Sequence, residues 1–358
     1  MAVKTAESPI ENGGGLDGRI AGAVLAAIRR ELRLGQEQSA ARLGVALKTF
    51  QAWERGRIPI TRLPYARLRQ ISRSLLAWGA APDLLIAWET ALTADDILAG
   101  LDQHTPNLHP LGMTVPDRTT TEMLTWPLTG ATPRCLRGTS AVLSITTDQR
   151  AETAAHLQAL AESAPDGERG AMLRRQTVFL VAEYDAVNAD TGWAADQIRQ
   201  ATRTVDLGRW SPEWAVARSA AVRAASDGDL EPLQRFASNG LTTSETELAN
   251  LRYWAYWVGE CPTAWASDAD MARPESDAWW SGEILLPSLL KGVVSAPYRE
   301  LCAHSLWALA RARRTLVTHP RWAAAISDTV EKATSGDGLS MQARQRLEQV
   351  HYLTGSMG

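Results

Sequence analysis

The sequence has little of what a disulfide-bonded, secreted or membrane-spanning protein needs. Its three cysteines, Cys135, Cys261 and Cys302, lie far apart and form no C-x-x-C pair. This pattern argues against a disulfide framework or a zinc site and is typical of a reducing compartment. No apolar run approaches the ~20 residues that cross a bilayer, and residues 1–15 lack the apolar core of a signal peptide. We therefore expect a cytoplasmic protein without a membrane partner.

Sequence signatures of enzymes are missing as well. The six histidines form no His-x-x-x-His or His-Glu-x-x-His cluster of metal ligands. No glycine-rich loop follows a strand pattern, and the segment GTSAVLS from Gly138 contains no Gly-x-Ser-x-Gly nucleophile motif. The sequence therefore predicts no catalytic residue, no metal site and no cofactor.

Charge is distributed unevenly along the 358 residues, whose formal net charge is only −3. Residues 16–75 contain eleven arginines and one lysine against four acidic residues, a formal charge of +8, so the rest of the chain carries −11. A basic segment on an acidic body is typical of a protein that holds phosphate groups at one end. Nucleic acid is therefore the partner that the charge pattern favours.

Within this basic segment, one stretch combines two short helical patterns with a tight turn. Gln36–Leu43 is helical by its spacing, and a second helical pattern carries Phe50 and Trp53 three residues apart. Gly44 between them is the residue expected where a helix ends in a left-handed conformation. Two helices joined by so short a turn form a helix-turn-helix; the alternative is an ordinary helical hairpin inside an all-helical protein.

Residues 20–76 resemble the lambda-repressor-like (Xre/Cro-type) DNA-binding family of helix-turn-helix regulators, here of actinobacterial type. The matching positions run from the second helix to the end of the third: Gln36, Ala40, Gly44, Val45, Phe50, Trp53, Glu54 and Gly56. Gly35 and Ala46 stand where the family usually places Ser or Thr caps, each worth ~1 kcal/mol, and Ser39 stands where it usually has Leu. The resemblance also implies an ion pair between Arg29 and Glu54; the alternative is two solvated charges.

The resemblance implies that residues 47–56 form a recognition helix in the major groove of double-stranded DNA. It assigns base-facing positions to Leu47, Lys48, Gln51 and Ala52. Lysine can donate to guanine and glutamine can pair with adenine. Side chains suited to phosphates, which fix register without specifying sequence, are Gln36, Thr49, Arg55 and Arg57. The alternative for Lys48 and Gln51 is a solvent-exposed helix face without a partner.

The rest of the chain is helical by its periodicity, which predicts an all-α protein. We expect a disordered leader at 1–18, the helix-turn-helix domain at 19–102, a Pro/Gly-rich ordered connector at 103–139 and a helical sensing or dimerisation domain at 140–358. Within 19–102, Leu84–Leu92 and Thr93–Leu101 are predicted as two helices, the second capped by Thr93 and Asp96. The last domain is either a helical bundle or a tetratricopeptide-like helical repeat.

Tryptophan is abundant in the C-terminal half, with fourteen tryptophans in the chain against three phenylalanines. Two interpretations remain open: the rings form an aromatic core, or they line a pocket for a small apolar effector or a peptide. The candidate ligand-binding residues of the second interpretation are Arg252, Trp254, Trp257, Trp280, His304 and Trp307.

These observations predict a sequence-specific DNA-binding transcriptional regulator that acts as a homodimer. The C-terminal helices would serve dimerisation, and effector sensing if the tryptophans line a pocket. The alternative is a protein-interaction adaptor or antitoxin-like protein whose C-terminal helices bind a partner protein. Recovery of a palindromic DNA motif would favour the regulator, whereas a stable co-purifying protein would favour the adaptor.

Overall fold

The computed structural model describes residues 16–102, 106–188, 192–203, 206–261, 263–273, 280–336 and 338–355. Over these ranges the protein is all-α, which confirms the expected fold class, and an isolated bridge joins Val115 to Trp265. The leader predicted for 1–18 lies outside the described residues except for its last three. None of the helices within these ranges is both long and apolar enough to cross a membrane.

The helices are named in chain order. The first six are α1 Arg19–Glu31, α2 Gln36–Leu43, α3 Leu47–Glu54, α4 Tyr65–Ala77, α5 Pro82–Ala99 and α6 Arg118–Thr129. The next six are α7 Thr147–Glu162, α8 Glu168–Asn188, α9 Trp193–Arg203, α10 Pro212–Ser226, α11 Glu231–Gly240 and α12 Ser244–Trp257. The last five are α13 Leu285–Ser295, α14 Arg299–Ala312, α15 Arg314–Val317, α16 Pro320–Ser335 and α17 Met341–Gly355.

The chain divides into two compact units. Unit 1 comprises Met1–Asp102 and Glu122–His156, and unit 2 comprises Gln103–Thr121 and Leu157–Gly358. The segment predicted as a connector, 103–139, thus contributes its first part to unit 2 and its second part to unit 1.

Helix α1 is the centre of unit 1, because its residues from Ile20 to Ile28 are all buried. Small side chains let neighbouring helices approach it closely. A β-carbon at Gly22 would lie 2.3 Å from the carbonyl oxygen of Trp53, so only glycine permits α1 to pack against the end of α3. This close packing determines where α3 lies relative to the core.

The amino end of α1 is capped from a distant part of the chain. Its N-cap residue, Gly18, makes no side-chain cap. Instead the buried Asp95 carboxyl of α5 accepts hydrogen bonds from the amides of Ile20 (3.1 Å) and Ala21 (2.7 Å). Burial raises the pKa of Asp95 well above its usual range, and the amide hydrogen bonds oppose that shift. They compensate in part for burying the carboxyl group.

The prediction of two short helices between Leu84 and Leu101 is wrong. A single helix, α5, runs through both, and Thr93 donates to the carbonyl of Glu89 within it (3.2 Å) instead of capping a new helix. No glycine or proline separates the two halves, and buried residues continue along one face from Trp88 through Ala91 to Leu98. Continuous burial outweighs the local capping signal, since tertiary packing overrides weak propensities.

Unit 2 is built around α12, whose two sides enter different hydrophobic clusters. Leu251 and Trp254 join a cluster that includes Leu286 of α13 and Leu306 of α14. Tyr253 and Tyr256 join another, which includes Trp214 of α10, Phe236 of α11 and Trp265. Burial on both sides explains why the sequence of this helix shows no single apolar face.

We predict that Asp95→Ala lowers the free energy of unfolding of unit 1 by about 2 kcal/mol, because two buried amides at a helix start lose their acceptor. Segment-resolved hydrogen exchange would measure it as faster exchange at Ile20 and Ala21. The matched control is Asp96→Ala, which removes an exposed carboxylate from the next position. Equal exchange in the two variants would contradict the capping role.

Candidate nucleic-acid interface

Helices α2 and α3 are joined by the three residues Gly44 to Ala46. Gly44 adopts the left-handed conformation (φ 66°), which confirms the predicted helix end, and the amide of Val45 donates to the carbonyl of Ala40 (3.0 Å). Ala46 is extended and starts α3. The chain therefore turns sharply between two helices of eight residues each.

The inner sides of both helices belong to the core of unit 1. Ala40 and Leu43 are buried in α2, and Phe50 and Trp53 are buried in α3 with their rings 6.4 Å apart. The orientation of α3 about its own axis is therefore fixed by two aromatic side chains.

A chain of polar contacts also joins α1, α2 and α3. Arg29 forms a bidentate pair with Glu54, with Nε 2.6 Å from Oε1 and Nη2 3.2 Å from Oε2, which confirms the predicted ion pair. Gln36 donates to the second oxygen of Glu54, and Gln51 donates to the side-chain oxygen of Gln36 (3.1 Å). We call these four residues the Arg29–Gln51 relay. Charge-assisted, bidentate contacts of this type fix geometry as well as adding stability.

The relay is shielded from water at one end and open at the other. The side chains of Arg29 and Glu54 are only 13% and 4% exposed, whereas Gln36 and Gln51 are half-buried. Gln51 donates one amide hydrogen to Gln36, so its other amide hydrogen and its carbonyl oxygen remain available for an external partner. Those two groups are the pair that a glutamine uses to contact adenine.

The first turn of α3 faces solvent. Leu47 is 38% exposed, Lys48 is exposed, and Thr49 and Ala52 are half-buried. Arg55 and Arg57, just beyond the helix, are exposed as well. The eight residues singled out from the sequence thus lie on α2, α3 and the turn that follows.

The cations on this surface differ from other arginines of unit 1 in having no ion-pair partner among the described residues. Arg62 pairs with Asp17 and Arg69 with Glu89 elsewhere in unit 1. Lys48, Arg55 and Arg57, in contrast, form no ion pair with any residue that the structure describes. Their charge is available to an external anion.

Neither α2 nor α3 has a side-chain cap, because Gly35 and Ala46 stand at their N-cap positions and have no side-chain oxygen. At the carboxyl end of α2, contacts with residues of and next to α4 hold the helix. Arg67 of α4 donates to the carbonyl of Leu43 (2.5 Å), and the guanidinium of Arg42 lies 5.5 Å from the ring centre of Trp78. The sequence analysis did not assign these roles to Arg42 and Arg67, because nothing local indicates that α4 packs beside α2.

In unit 2, the aromatic rings of the second candidate site are covered by other side chains of the protein. Two tryptophan rings lie against tyrosine rings, with ring centres 5.2 Å apart for Trp254 and Tyr298 and 6.3 Å apart for Trp257 and Tyr253. Guanidinium carbons lie over three of the rings: Arg218 is 4.9 Å from the ring centre of Trp254, and Arg313 is 4.3 Å from that of Trp280. Arg346 and Arg311 are 5.3 and 5.8 Å from the ring centre of Trp307. Guanidinium and aromatic groups thus occupy ring faces that a ligand would use.

The two polar residues of that candidate site are both buried within the fold. Arg252 donates to the carbonyl of Met271 (3.2 Å), and the His304 ring lies buried with Nε2 3.8 Å from a carboxylate oxygen of Glu300. The cavities described in unit 2 are lined by other residues. No group of His, Cys, Asp and Glu in the described ranges could hold a metal ion.

Comparison of the chain with protein families, with curated proteins and with solved structures gave no match. A functional argument for this protein therefore depends on its own residues and their arrangement.

We predict that Glu54→Ala lowers the free energy of unfolding of unit 1 by about 2–3 kcal/mol, because the largely buried Arg29 guanidinium loses its counter-charge. We expect this loss of stability to appear as faster amide hydrogen exchange across α1, α2 and α3. Glu37→Ala, which removes an exposed carboxylate from α2, should change exchange much less. If both variants exchange alike, the relay does not stabilise these helices.

Proposed function

We propose that this protein is a sequence-specific DNA-binding transcriptional regulator, in which α2 and α3 act as a helix-turn-helix. The observation that supports it best is the contrast between the two sides of α3. Phe50 and Trp53 fix one side in the core, while Leu47 and Lys48 stand exposed on the other. A helix held rigidly with its first turn open to solvent suits insertion into the major groove.

In this proposal, Lys48 donates to guanine O6 or N7 and Gln51 pairs with adenine, while Leu47 and Ala52 contact thymine methyl groups. The relay supports the role of Gln51, because it holds the side-chain amide in one orientation before DNA arrives. Preorganisation of this kind improves affinity by reducing the entropy lost on binding.

Phosphate contacts come from the residues around the recognition helix. Arg55 and Arg57 carry charges that no described carboxylate neutralises, and Thr49 and Gln36 add neutral donors. The uncapped amino ends of α2 and α3 leave backbone amides for phosphate oxygens, which bind favourably at helix N-termini. The missing caps would then be a feature of the DNA-binding surface.

We also propose that the protein binds DNA as a homodimer, with unit 2 supplying dimerisation and effector sensing. Two base-contacting polar side chains specify only a short sequence. A second copy contacting a half-site one helical turn away would double the contacted sequence.

We predict that Lys48→Ala weakens binding to the preferred DNA by roughly 5- to 150-fold, the loss expected for one base contact of about 1–3 kcal/mol. The preferred sequence is obtained by random-site selection with the whole protein, and affinity is measured by gel-shift titration at constant salt. The matched control is Lys291→Ala, an exposed lysine of α13 in unit 2.

Unchanged affinity of the Lys48 variant would remove this residue from the interface. Selection that enriches no sequence, together with a protein that co-purifies stably, would favour the adaptor function over the regulator.

A further inference from the structure

Unit 2 contains a cavity of about 350 Å³ that is lined by α8, α9 and α10 and is partly open to solvent. Each helix contributes one face to it, and a volume of this size falls within the range of small-molecule sites. The cavity exists because small residues stand where the helices face one another: Ala171 on α8, Ala201 on α9, and Ser219 and Ala220 on α10.

One part of the wall is apolar. Val178 and Phe179 of α8, Ile198 of α9 and Val216 of α10 line it, and the first two are only half-buried. Side chains of this type bind the hydrocarbon body of a ligand by removing it from water.

Another part of the wall carries a buried, fixed guanidinium. The Arg175 side chain is 6% exposed and forms two hydrogen bonds to Asp268, from Nε at 3.0 Å and from Nη2 at 2.6 Å. Its Nη1 lies 3.5 Å from the hydroxyl of Ser219, which also lines the cavity. Burial lowers the pKa of Arg175, but Asp268 and Tyr253 together outweigh this effect and raise the pKa above its usual value, so the group stays charged.

Arg174 is the cation of this wall that retains binding capacity. Its Nη1 donates to the carbonyls of Ala164 (3.0 Å) and Pro165 (3.4 Å), which anchor the side chain. Its Nε and Nη2 have no partner among the described residues. A guanidinium edge with two free donors matches the two oxygens of a carboxylate.

Among the described residues, Arg174 is the cation of this lining that no carboxylate neutralises. Arg175 is neutralised by Asp268, and Arg223 is held by Glu183 and Asp227. Glu213 adds a carboxylate to the lining. A multiply charged anion such as phosphate would find one uncompensated guanidinium only, whereas a single carboxylate needs no more than one.

We propose that this cavity binds a small amphipathic carboxylate, whose carboxylate group pairs with Arg174 and whose apolar body packs against Phe179, Ile198 and Val216. The proposal concerns ligand binding alone and does not depend on DNA binding. If the protein is a regulator, the cavity is the place where its effector binds.

The test is isothermal titration calorimetry of the whole protein without DNA, with octanoate and octylamine as the two probes. We expect octanoate to bind at one site and octylamine to bind at least tenfold more weakly, because the guanidinium repels an ammonium group. Arg174→Gln should weaken octanoate binding about tenfold. Arg169→Gln, the same change at an exposed position of α8, should leave it unchanged.

A second pair of variants tests the cavity itself. Ala201→Leu fills the space and should reduce octanoate affinity at least tenfold, whereas Ala195→Leu makes the same change on the exposed side of α9 and should have no effect. Circular dichroism verifies that both variants fold, and Ala201→Val replaces the first if it does not. Absence of octanoate binding, equal affinity for octylamine, or full affinity in the filled variant would overturn the proposal.

Discussion

The bidentate contact between Arg29 and Glu54 is the interaction on which the rest of unit 1 depends. It joins the central helix α1 to the end of α3, and through Gln36 it extends to Gln51. Without the counter-charge, a largely buried guanidinium would be left unpaired, which is costly. The same contact that stabilises the helices therefore also orients the side chain proposed to contact a base.

The sequence predicts the local features of this region well. Backbone sterics favour a glycine at the end of α2, and helical spacing places the aromatic residues of α3 on one face. Both features can therefore be recognised without a structure. Asp95 is different, because it caps α1 from 75 positions away. Its role depends on how α5 packs, and the same packing carries α5 through the Thr93 signal that suggests a helix start.

Unit 2 shows why composition alone says little about ligand sites. Tryptophan attracts attention in the sequence, yet guanidinium and aromatic groups cover ring faces of Trp254, Trp280 and Trp307. The cavity instead lies where Ala201 and Ala220 leave space, and alanine in a helix gives no sequence signal for a void. A buried arginine at its wall could be recognised only once Asp268 was seen beside it.

The central claim is that the first turn of α3 lies against the bases of DNA. Site-specific photo-crosslinking tests it most directly, with a benzoylphenylalanine in place of Leu47 and, as control, in place of Met341, which is 78% exposed on α17. The account predicts a crosslink from position 47 to bases within the selected motif and none from position 341. A motif that binds the protein but forms no crosslink to position 47 would contradict it.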